Sequence, residues 1–355
     1  MLLTESFYIC TTNCAKLKNI ITIADVSRAS KVSTTTVSRV LNGLSKKYRI
    51  SADTEELVIK VAERLKYRPN LTAVNFRLKK TNTIGLLVPS LANPFFAMVS
   101  SHITAELHTK GYSVVISDCG EDDRIEAEML NQLAARRIDG LLISPAARNP
   151  ALFESYYRSG LPMVFFDRYF EDSVIPFVSS HNYHGAYEIT KYLIQTGHKH
   201  ISCIQATHDV MPVTTRLRGY RAAMTEAGLK PDFVGNGFSL QNGYIETKLL
   251  MNRKRKPTAI FAFTNPIALG TIKALREEGI NIPTEVSLVT FDDSEYLNFI
   301  DPPITCVEQP LSEMARISVK ILLQQIENHE NDVVNKQEKI LLEPRIILRK
   351  STQIL

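Results

Sequence analysis

The chain has 355 residues, 44% hydrophobic and 22% charged, so it has room for a small domain and a larger folded body. No apolar run is long enough to span a bilayer, and residues 1–17 lack the basic start and apolar stretch of a secretory signal, which predicts a cytoplasmic protein without membrane contact. Five scattered cysteines argue against a disulfide framework, and Cys10 and Cys14 have no second Cys/His pair at zinc-finger spacing.

The net charge of +5 is distributed unevenly along the chain. Residues 1–80 carry 15 Lys and Arg against 6 Asp and Glu, whereas the remaining residues carry 27 against 31. A basic N-terminal part beside a slightly acidic body indicates binding to a polyanion, and such binding weakens as salt is added.

Helices are predicted soon after the N-terminus. Residues 1–19 are interpreted as a loosely ordered extension or as a wrongly assigned start. Thr22 is a good N-cap for a helix from Ile23 to Ala29, and Ser33 can cap a second helix from Thr34 to Leu41. Apolar residues recur at helical spacing in both, so the two helices can pack on one side.

The other side of the second helix is polar. It presents Thr34, Thr35, Ser38 and Arg39, whose hydroxyls and guanidinium can reach base edges and phosphates when such a helix lies in a DNA major groove. The alternative is an ordinary solvated helical hairpin. The basic charge of this part of the chain favours the DNA-reading interpretation.

A third helix is expected to begin after Ser51 and to run to about Lys66, which completes a three-helix unit around one small core. Tyr67-Arg68-Pro69-Asn70 ends this unit, because proline disfavours helix in the residue before it. The basic stretch from Leu71 to Lys80 is too short to form a stable helix alone and is interpreted as a linker that folds on contact with another surface.

From Ile84 onward, short apolar strands alternate with helices. The predicted strands are Ile84–Pro89, Ser113–Asp118, Gly140–Ser144, Met163–Asp167, Ile201–Ile204, Ala259–Phe263 and Val286–Phe291. The predicted helices include Phe95–Lys110, Arg124–Arg136, Tyr183–Thr196, Leu217–Ala227 and Ile267–Glu278, and glycines follow several of them as C-terminal caps do. This order predicts parallel sheets covered on both faces, arranged as two doubly wound lobes.

Ligands bind beyond the carboxyl ends of the strands in such sheets. The segments that follow strands directly are Asn93–Phe96, Asp167-Arg168, Thr264-Asn265 and Asp292-Asp293. They carry carboxylates, amides and aromatic rings, so a binding cleft is expected where they meet.

Several segments occur in a characteristic order: the helical head, Tyr67–Asn70, Ile84–Pro89, Asn93–Phe96, Arg137–Ser144, Arg216–Tyr220, Phe291–Ser294 and Pro303–Pro310. Over about residues 20–350 the chain resembles the lactose/galactose-repressor (LacI/GalR) family of bacterial transcription regulators. The resemblance implies an α/β protein with an N-terminal three-helix helix-turn-helix head and a two-lobed doubly wound parallel-sheet body of the periplasmic-binding-protein-like type I. The implied divisions are a DNA-binding domain at 20–68, a hinge at 69–82 and an effector-binding and dimerisation domain at 83–355.

The same resemblance implies a homodimer that reads a near-palindromic operator, with no cofactor. Thr34, Thr35 and Arg39 occupy the base-reading positions, whereas Thr22, Ser33 and Asn42 are implied phosphate contacts. Ser38 shares the polar face. Phe76 lies at the spacing of the family's hinge leucine, which wedges into the minor groove, although Leu78 is an alternative. Lys31 stands where the turn of the family usually has glycine, and a left-handed lysine costs about 1 kcal/mol.

For the cleft, the resemblance implies effector contacts from Phe95, Asp167, Arg216 and Asp292, with Thr264 or Asn265 as a further contact. Carboxylates can accept from vicinal hydroxyls, an arginine can donate, and an aromatic ring can stack on a sugar or base, so a sugar, sugar phosphate or purine is expected. The alternative is that Arg216 and Asp292 form a closed ion pair that only stabilises the lobes. The sign of the response to the effector stays open.

Other classes fit less well. A solute-binding protein without a regulatory role would share the body but would need an export signal and no basic head. A dinucleotide enzyme would place a glycine-rich turn after the first strand, where this chain has Ser90-Leu91-Ala92-Asn93, and no Gly-x-Ser-x-Gly hydrolase motif occurs, so no catalytic residue is expected. A zinc site at His198, His200 and His208 is disfavoured because loop histidines are commonly solvated.

Overall fold

The computed structural model describes residues 21–67, 80–207, 210–330 and 338–355. The predictions for residues 1–19, for Phe76 or Leu78, and for most of the hinge at 69–82 lie outside these residues. The chain divides into two compact units, residues 1–80 and 81–355, and each is described by itself.

The described part of the first unit, residues 21–67 and 80, contains three helices, α1 (Ile23–Ser30), α2 (Thr34–Leu41) and α3 (Ala52–Arg64), as predicted. Their buried faces form a single core, which consists of Val26, Val37, Val40, Val58, Val61 and Ala62. Because all six side chains are small, the helices can approach closely and fix the orientation of α2.

Polar residues begin each of these helices. The backbone N–H and the hydroxyl of Thr22 donate to the Asp25 carboxylate at 2.9 and 2.7 Å. Ser33 Oγ accepts from the backbone N–H of Thr36 at 3.1 Å, which confirms it as an N-cap. Lys31, in the turn between α1 and α2, has a φ of 57°, so the left-handed turn is made without glycine.

In the second unit, the residues that the structure describes form two six-stranded sheets. The first has the order β11-β5-β4-β3-β1-β2, formed by Lys339–Leu342, Phe177–Ser180, Met163–Phe166, Gly140–Ile143, Thr83–Val88 and Ser113–Asp118, respectively. The second has the order β12-β10-β9-β8-β6-β7, formed by Arg345–Ile347, Thr305–Glu308, Ser287–Phe291, Ala259–Ala262, Ile201–Ile204 and Asp232–Val234. Every strand pair is parallel except β10 with β12, so the predicted doubly wound lobes are confirmed.

Helices cover both sheets. They are α4 (Pro94–Thr109), α5 (Asp123–Ala135), α6 (Ala151–Arg158), α7 (Asn182–Gln195), α8 (Met211–Glu226), α9 (Leu240–Met251), α10 (Asn265–Glu277) and α11 (Leu311–Glu330). The chain crosses between lobes three times: between β5 and α7, between β10 and α11, and between β11 and β12. α11 therefore packs on α4 in the first lobe, although it follows a strand of the second.

Two predictions of this unit need correction. The helix predicted over Leu217–Ala227 begins six residues earlier, at Met211, because Pro212 lies in its first turn, where the missing N–H is tolerated. Five short strands, β5, β7, β10, β11 and β12, were not predicted. β7 and β12 have three residues each, and β12 is not fully buried at any position, so neither carries a strong apolar pattern.

The beginning of α10 is fixed by close packing against α9. A Cβ atom on Gly270 would lie 2.0 Å from the carbonyl oxygen of Leu240, and one on Gly243 would lie 2.1 Å from that of Ile267. Only glycine allows this approach of the two helix backbones. The packing holds Thr264 and Asn265, which precede and begin α10, at the edge of the second sheet.

Candidate functional site

The polar face of α2 assembles as the sequence predicts. Thr34 and Thr35 are exposed, whereas Val37 and Val40 are buried on the other side of the helix. Arg39 lies one turn after Thr35, so the two side chains share a face. The side chain of Arg39 forms no hydrogen bond or ion pair with a described residue, and its guanidinium carbon lies 3.9 Å from the centroid of the Tyr48 ring.

The remaining predicted DNA contacts surround this face. Ser33 begins α2 and is exposed, and Thr22 begins α1. Asn42 ends α2, where its side-chain amide donates to the carbonyl oxygen of Ser38 at 2.6 Å. The Asn42 side chain therefore caps the C-terminal end of α2 and holds Ser38, which belongs to the polar face.

The predicted cleft residues meet between the two lobes. Asp167 follows β4 and Asp292 follows β9, and these strands occupy equivalent positions in their sheets. With Phe95 and Arg216 they line a cavity of about 20 Å³, and all four side chains are buried. A volume of this size holds about one water molecule, so the lobes are closed on each other and must separate to admit a sugar.

Two larger cavities adjoin this closed space. One of about 420 Å³ shares Arg168 and Val210 with it. Another of about 630 Å³ shares Phe95, Asp292 and Gln309. Residues of both lobes line each of these cavities. Separation of the lobes would therefore merge them with the small closed cavity into one cleft.

Both cleft carboxylates stand on strained backbone. Asp167 has a φ of 59° and Asp292 a φ of 74°, in the left-handed region that favours glycine. Strain of this kind persists where the surrounding structure enforces it, and it occurs often at binding sites. Asp167 and Asp292 therefore share the same unusual backbone conformation at equivalent positions of the two lobes, and both carboxylates face the cavity between the lobes.

Each nitrogen atom of the Arg216 guanidinium lies near an oxygen atom of the protein. Its Nε donates to Asn182 Oδ1 at 2.8 Å and its Nη1 to the carbonyl oxygen of Phe263 at 2.6 Å, while Nη2 lies 3.6 Å from Asp292 Oδ1. The guanidinium also covers the ring of Phe291 at 3.6 Å. Arg216 and Asp292 belong to the same lobe, so their ion pair orients the site without joining the lobes.

Asp167 is the carboxylate with the fewest partners. It is 4% exposed, and its side chain accepts no hydrogen bond among the described residues. Burial raises the pKa of Asp167 to about 7, although Arg168 and Arg216 oppose the shift. Burial also raises the pKa of Asp292, against the opposing effects of Arg216 and of the hydrogen bond from Gln309. The cleft therefore contains acceptor oxygens whose charge is only partly compensated.

Thr264 and Asn265 have different surroundings. Thr264 lines the cavity, and its Oγ1 atom is buried without a hydrogen-bond partner among the described residues. Asn265 lies behind it, outside the cavity lining, and donates to Ser294 Oγ at 2.7 Å. Of the two alternatives, only Thr264 lines this cavity, and the effector contact itself stays a prediction.

The sequence placed Arg168 in a segment next to the cleft but gave it no contact role, and it did not indicate Phe238 or Gln309 as cleft residues. Arg168 is 4% exposed, forms a bidentate ion pair with Glu121 at 2.7 Å, and lies over the rings of Phe96 and Phe238. Gln309 donates to Asp292, and its own Oε1 atom is buried without a described partner. The position of Arg168 directly after Asp167 could have indicated its role, whereas the loop that carries Phe238 has no comparable signal.

The described residues contain no helix of the length and apolarity that a bilayer crossing requires. They also contain no group of three or more His, Cys, Asp or Glu side chains suited to a metal ion. His208, one member of the disfavoured zinc set, lies outside them. His198 instead shares a hydrogen bond with Thr258, at 2.9 Å.

A trihelical unit with a polar recognition face, on the same chain as a two-lobed body with a buried polar cleft, defines the class of ligand-binding transcription regulators. Comparisons with known proteins agree. Residues 22–70 match the family model of bacterial regulatory proteins of the lacI family, and residues 81–341 match that of periplasmic binding proteins and the sugar-binding domain of the LacI family. The chain belongs to the LacI family of bacterial regulatory proteins.

Relatives of this family align along nearly the whole chain. The HTH-type transcriptional repressor PurR of Haemophilus influenzae (strain PittEE) is 33% identical over 338 residues, which cover 94% of this chain and 98% of the relative. A ribose operon repressor of the same species is 31% identical, over 93% and 98%. The crystal structure of the lac repressor dimer bound to operator and the anti-inducer ONPF has a TM-score of 0.84 at 26% identity and covers 94% of this chain and 99% of that one.

Proposed function

We propose that this regulator is a homodimeric repressor that acts in the cytoplasm, and that a small-molecule effector bound between the lobes controls its affinity for a near-palindromic operator. In this proposal residues 20–68 read DNA, residues 69–82 form the hinge, and residues 83–355 bind effector and dimerise. Two observations together carry the proposal. The Arg39 side chain, on a polar helix face, forms no hydrogen bond or ion pair with a described residue, and the closed cleft contains acceptor atoms without described hydrogen-bond partners. No catalytic residue and no cofactor are required.

The chemistry of the cleft favours a neutral, hydroxyl-rich effector over an anionic one. Asp292 and Glu121 already neutralise Arg216 and Arg168, whose donor groups are directed at protein acceptors. The groups left over are the carboxylate of Asp167, the Gln309 Oε1 atom, and the Thr264 hydroxyl, which can accept or donate. Such a site prefers a ligand that donates hydrogen bonds and disfavours a phosphate, because an added buried anion would lack a partner.

A pentose fits these requirements best among the sugars, sugar phosphates and purines that the family resemblance implies. A relative of this chain is named a ribose operon repressor, and a LacI-family regulator from Enterococcus faecium with bound ribose has a TM-score of 0.70 at 27% identity. Vicinal hydroxyls of a pentose can donate to Asp167, and the rings of Phe95 and Phe96 offer apolar surface.

The mechanism is a shift between open and closed arrangements of the lobes. An effector that binds both lobes stabilises the closed form, and the ligand can shift the equilibrium only by its difference in affinity for the two forms. The closure is coupled to DNA affinity through the hinge, and by linkage operator DNA must alter effector affinity by the same factor.

The test uses the full chain and an operator selected from a randomised duplex pool. Gel-shift titrations of that operator are made with D-ribose, ribose 5-phosphate, hypoxanthine and no addition. We expect ribose to change operator affinity by about 5- to 150-fold, the usual range for allosteric coupling, and ribose 5-phosphate to have no effect. A response to the phosphate alone would overturn the assignment of a neutral effector, and failure to select any duplex would overturn the function.

Effector binding should strengthen as pH rises from 6 to 8. With a pKa of about 7, Asp167 is about one-tenth ionised at pH 6 and about nine-tenths ionised at pH 8, and the ionised form accepts stronger hydrogen bonds. Titration calorimetry with D-ribose at both pH values should show about a tenfold gain in affinity. The Asp167→Asn variant should bind weakly and with little dependence on pH, and a profile like that of the wild type would exclude Asp167 as the titrating group.

A further inference from the structure

The loop that joins α2 to α3, residues 43–50, lies against the side chain of Arg39. The Arg39 guanidinium carbon is 3.9 Å from the centroid of the Tyr48 ring, a distance typical of a cation–π contact. Tyr48 is 43% exposed, so this stack lies at the surface of the head rather than in its core. The Tyr48 ring is therefore not part of the core of the head, and the Arg39 guanidinium lies against it.

The stack leaves the donor groups of Arg39 available. A guanidinium is planar and its five N–H groups lie in the plane, so a ring that covers one face does not block the edge. No described residue accepts a hydrogen bond from the Arg39 guanidinium or forms an ion pair with it. The same side chain can therefore remain stacked on Tyr48 while it donates in bidentate fashion to the O6 and N7 atoms of a guanine.

The loop is itself ordered by hydrogen bonds that start at Arg39. The backbone N–H of Leu44 donates to the carbonyl oxygen of Arg39 at 2.9 Å, and that of Tyr48 donates to the carbonyl oxygen of Leu44 at 3.1 Å. The backbone N–H of Ile50 donates to the carbonyl oxygen of Ser45 at 3.0 Å. The backbone that carries Tyr48 is thus tied to the helix that carries Arg39, which keeps the Tyr48 ring within reach of the guanidinium.

Positive charges surround the stack. Lys46, Lys47 and Arg49 are exposed, and none of them forms an ion pair with a described carboxylate. The Lys47 ammonium lies 5.9 Å from the centroid of the same Tyr48 ring. Three uncompensated cations on a short loop beside a DNA-reading helix fit the phosphates that flank a major groove.

We propose that Tyr48 is a positioning residue for operator reading: it holds the Arg39 fork in place before DNA binds, and its loop contacts backbone phosphates through Lys46, Lys47 and Arg49. The inference rests on the proposed function, because it assumes that α2 enters the major groove. Ordering a long side chain in advance removes part of the entropy loss that binding would otherwise require. Tyr48 accordingly affects sequence choice, whereas the three basic residues affect affinity for every duplex.

The experiment compares the full-length wild type with Tyr48→Ala, Tyr48→Phe and the triple variant Lys46→Gln/Lys47→Gln/Arg49→Gln. Gel shifts on the selected operator and on a scrambled duplex, over a series of salt concentrations, give the specificity ratio and the salt slope. Tyr48→Ala should lower the specificity ratio about 2- to 5-fold with no change in slope, as expected for loss of an exposed cation–π contact. Tyr48→Phe keeps the ring and should match the wild type.

The triple variant should weaken binding to both duplexes and flatten the salt slope by about one unit for each phosphate that the loop no longer neutralises. A double-mutant cycle isolates the stack, since Tyr48→Ala should have no further effect on specificity in an Arg39→Ala background. An undiminished specificity ratio in Tyr48→Ala, or equal losses with and without Arg39, would overturn the proposal while leaving the proposed function intact. A wild-type protein that selects no duplex would overturn both.

Discussion

Replacing Arg216 with alanine is expected to weaken effector binding by at least about a hundredfold, while operator affinity in the absence of effector stays within about threefold of the wild type. The variant leaves Asp292 buried without its cationic partner, and removing one member of a buried pair costs about 3–5 kcal/mol. It also deprives Asn182 Oδ1 and the carbonyl oxygen of Phe263 of their donor. The polar groups of the cleft would lose their fixed arrangement, so the effector would bind weakly. The DNA head belongs to a separate compact unit, so operator affinity should change little.

Titration calorimetry with D-ribose measures the first effect and gel shifts measure the second. Arg218→Ala is the matched control, because Arg218 lies on the same helix, α8, but is exposed. Arg216→Lys keeps the positive charge but lacks the planar guanidinium, so it should restore the stability of the fold more fully than it restores effector affinity. A normal response to effector in Arg216→Ala would remove this residue from the site and would leave its ion pair with Asp292 as a purely structural contact.

The fold of the body could be predicted where burial leaves a continuous apolar pattern in the sequence. The segments around β1, β4 and β9 have a neighbouring strand on each side, and most of their residues are apolar and buried. The edge strands β7 and β11 have no such pattern. β7 is half-buried along its length, and in β11 only Leu342 is buried, so their pairing depends on chain that lies far away in the sequence.

The candidate site could be predicted to the extent that its residues follow strands directly. Asp167 and Asp292 come at the ends of apolar runs, and the topology of parallel sheets brings such positions together. Phe238 lies in a loop of the second lobe and contacts Arg168 of the first lobe across the cleft, far from it in the sequence. The Arg39–Tyr48 stack involves a loop in which Arg49 has a φ of 53°. No local sequence pattern predicts this left-handed conformation for an arginine.

Arg39→Ala is expected to reduce the preference for the selected operator over a scrambled duplex by about 10- to 100-fold, because a bidentate contact from arginine to guanine supplies about 1–3 kcal/mol of discrimination. Affinity for the scrambled duplex should fall much less, since most of it comes from phosphate contacts. The side chain is only half-buried and is not part of the valine core of the head, so the fold should persist. Thermal unfolding monitored by circular dichroism checks that point.

The matched control for Arg39→Ala is Arg28→Ala, which removes the same charge from the head. The Arg28 side chain is 78% exposed, lies on α1 and pairs with Asp25 at 3.1 Å, which places it off the recognition helix. Both variants should show similar small losses on the scrambled duplex, whereas only Arg39→Ala should lose the operator preference. Equal preference in the two variants would mean that Arg39 does not read a base, and that sequence choice comes from Thr34 and Thr35 or from the shape of the DNA.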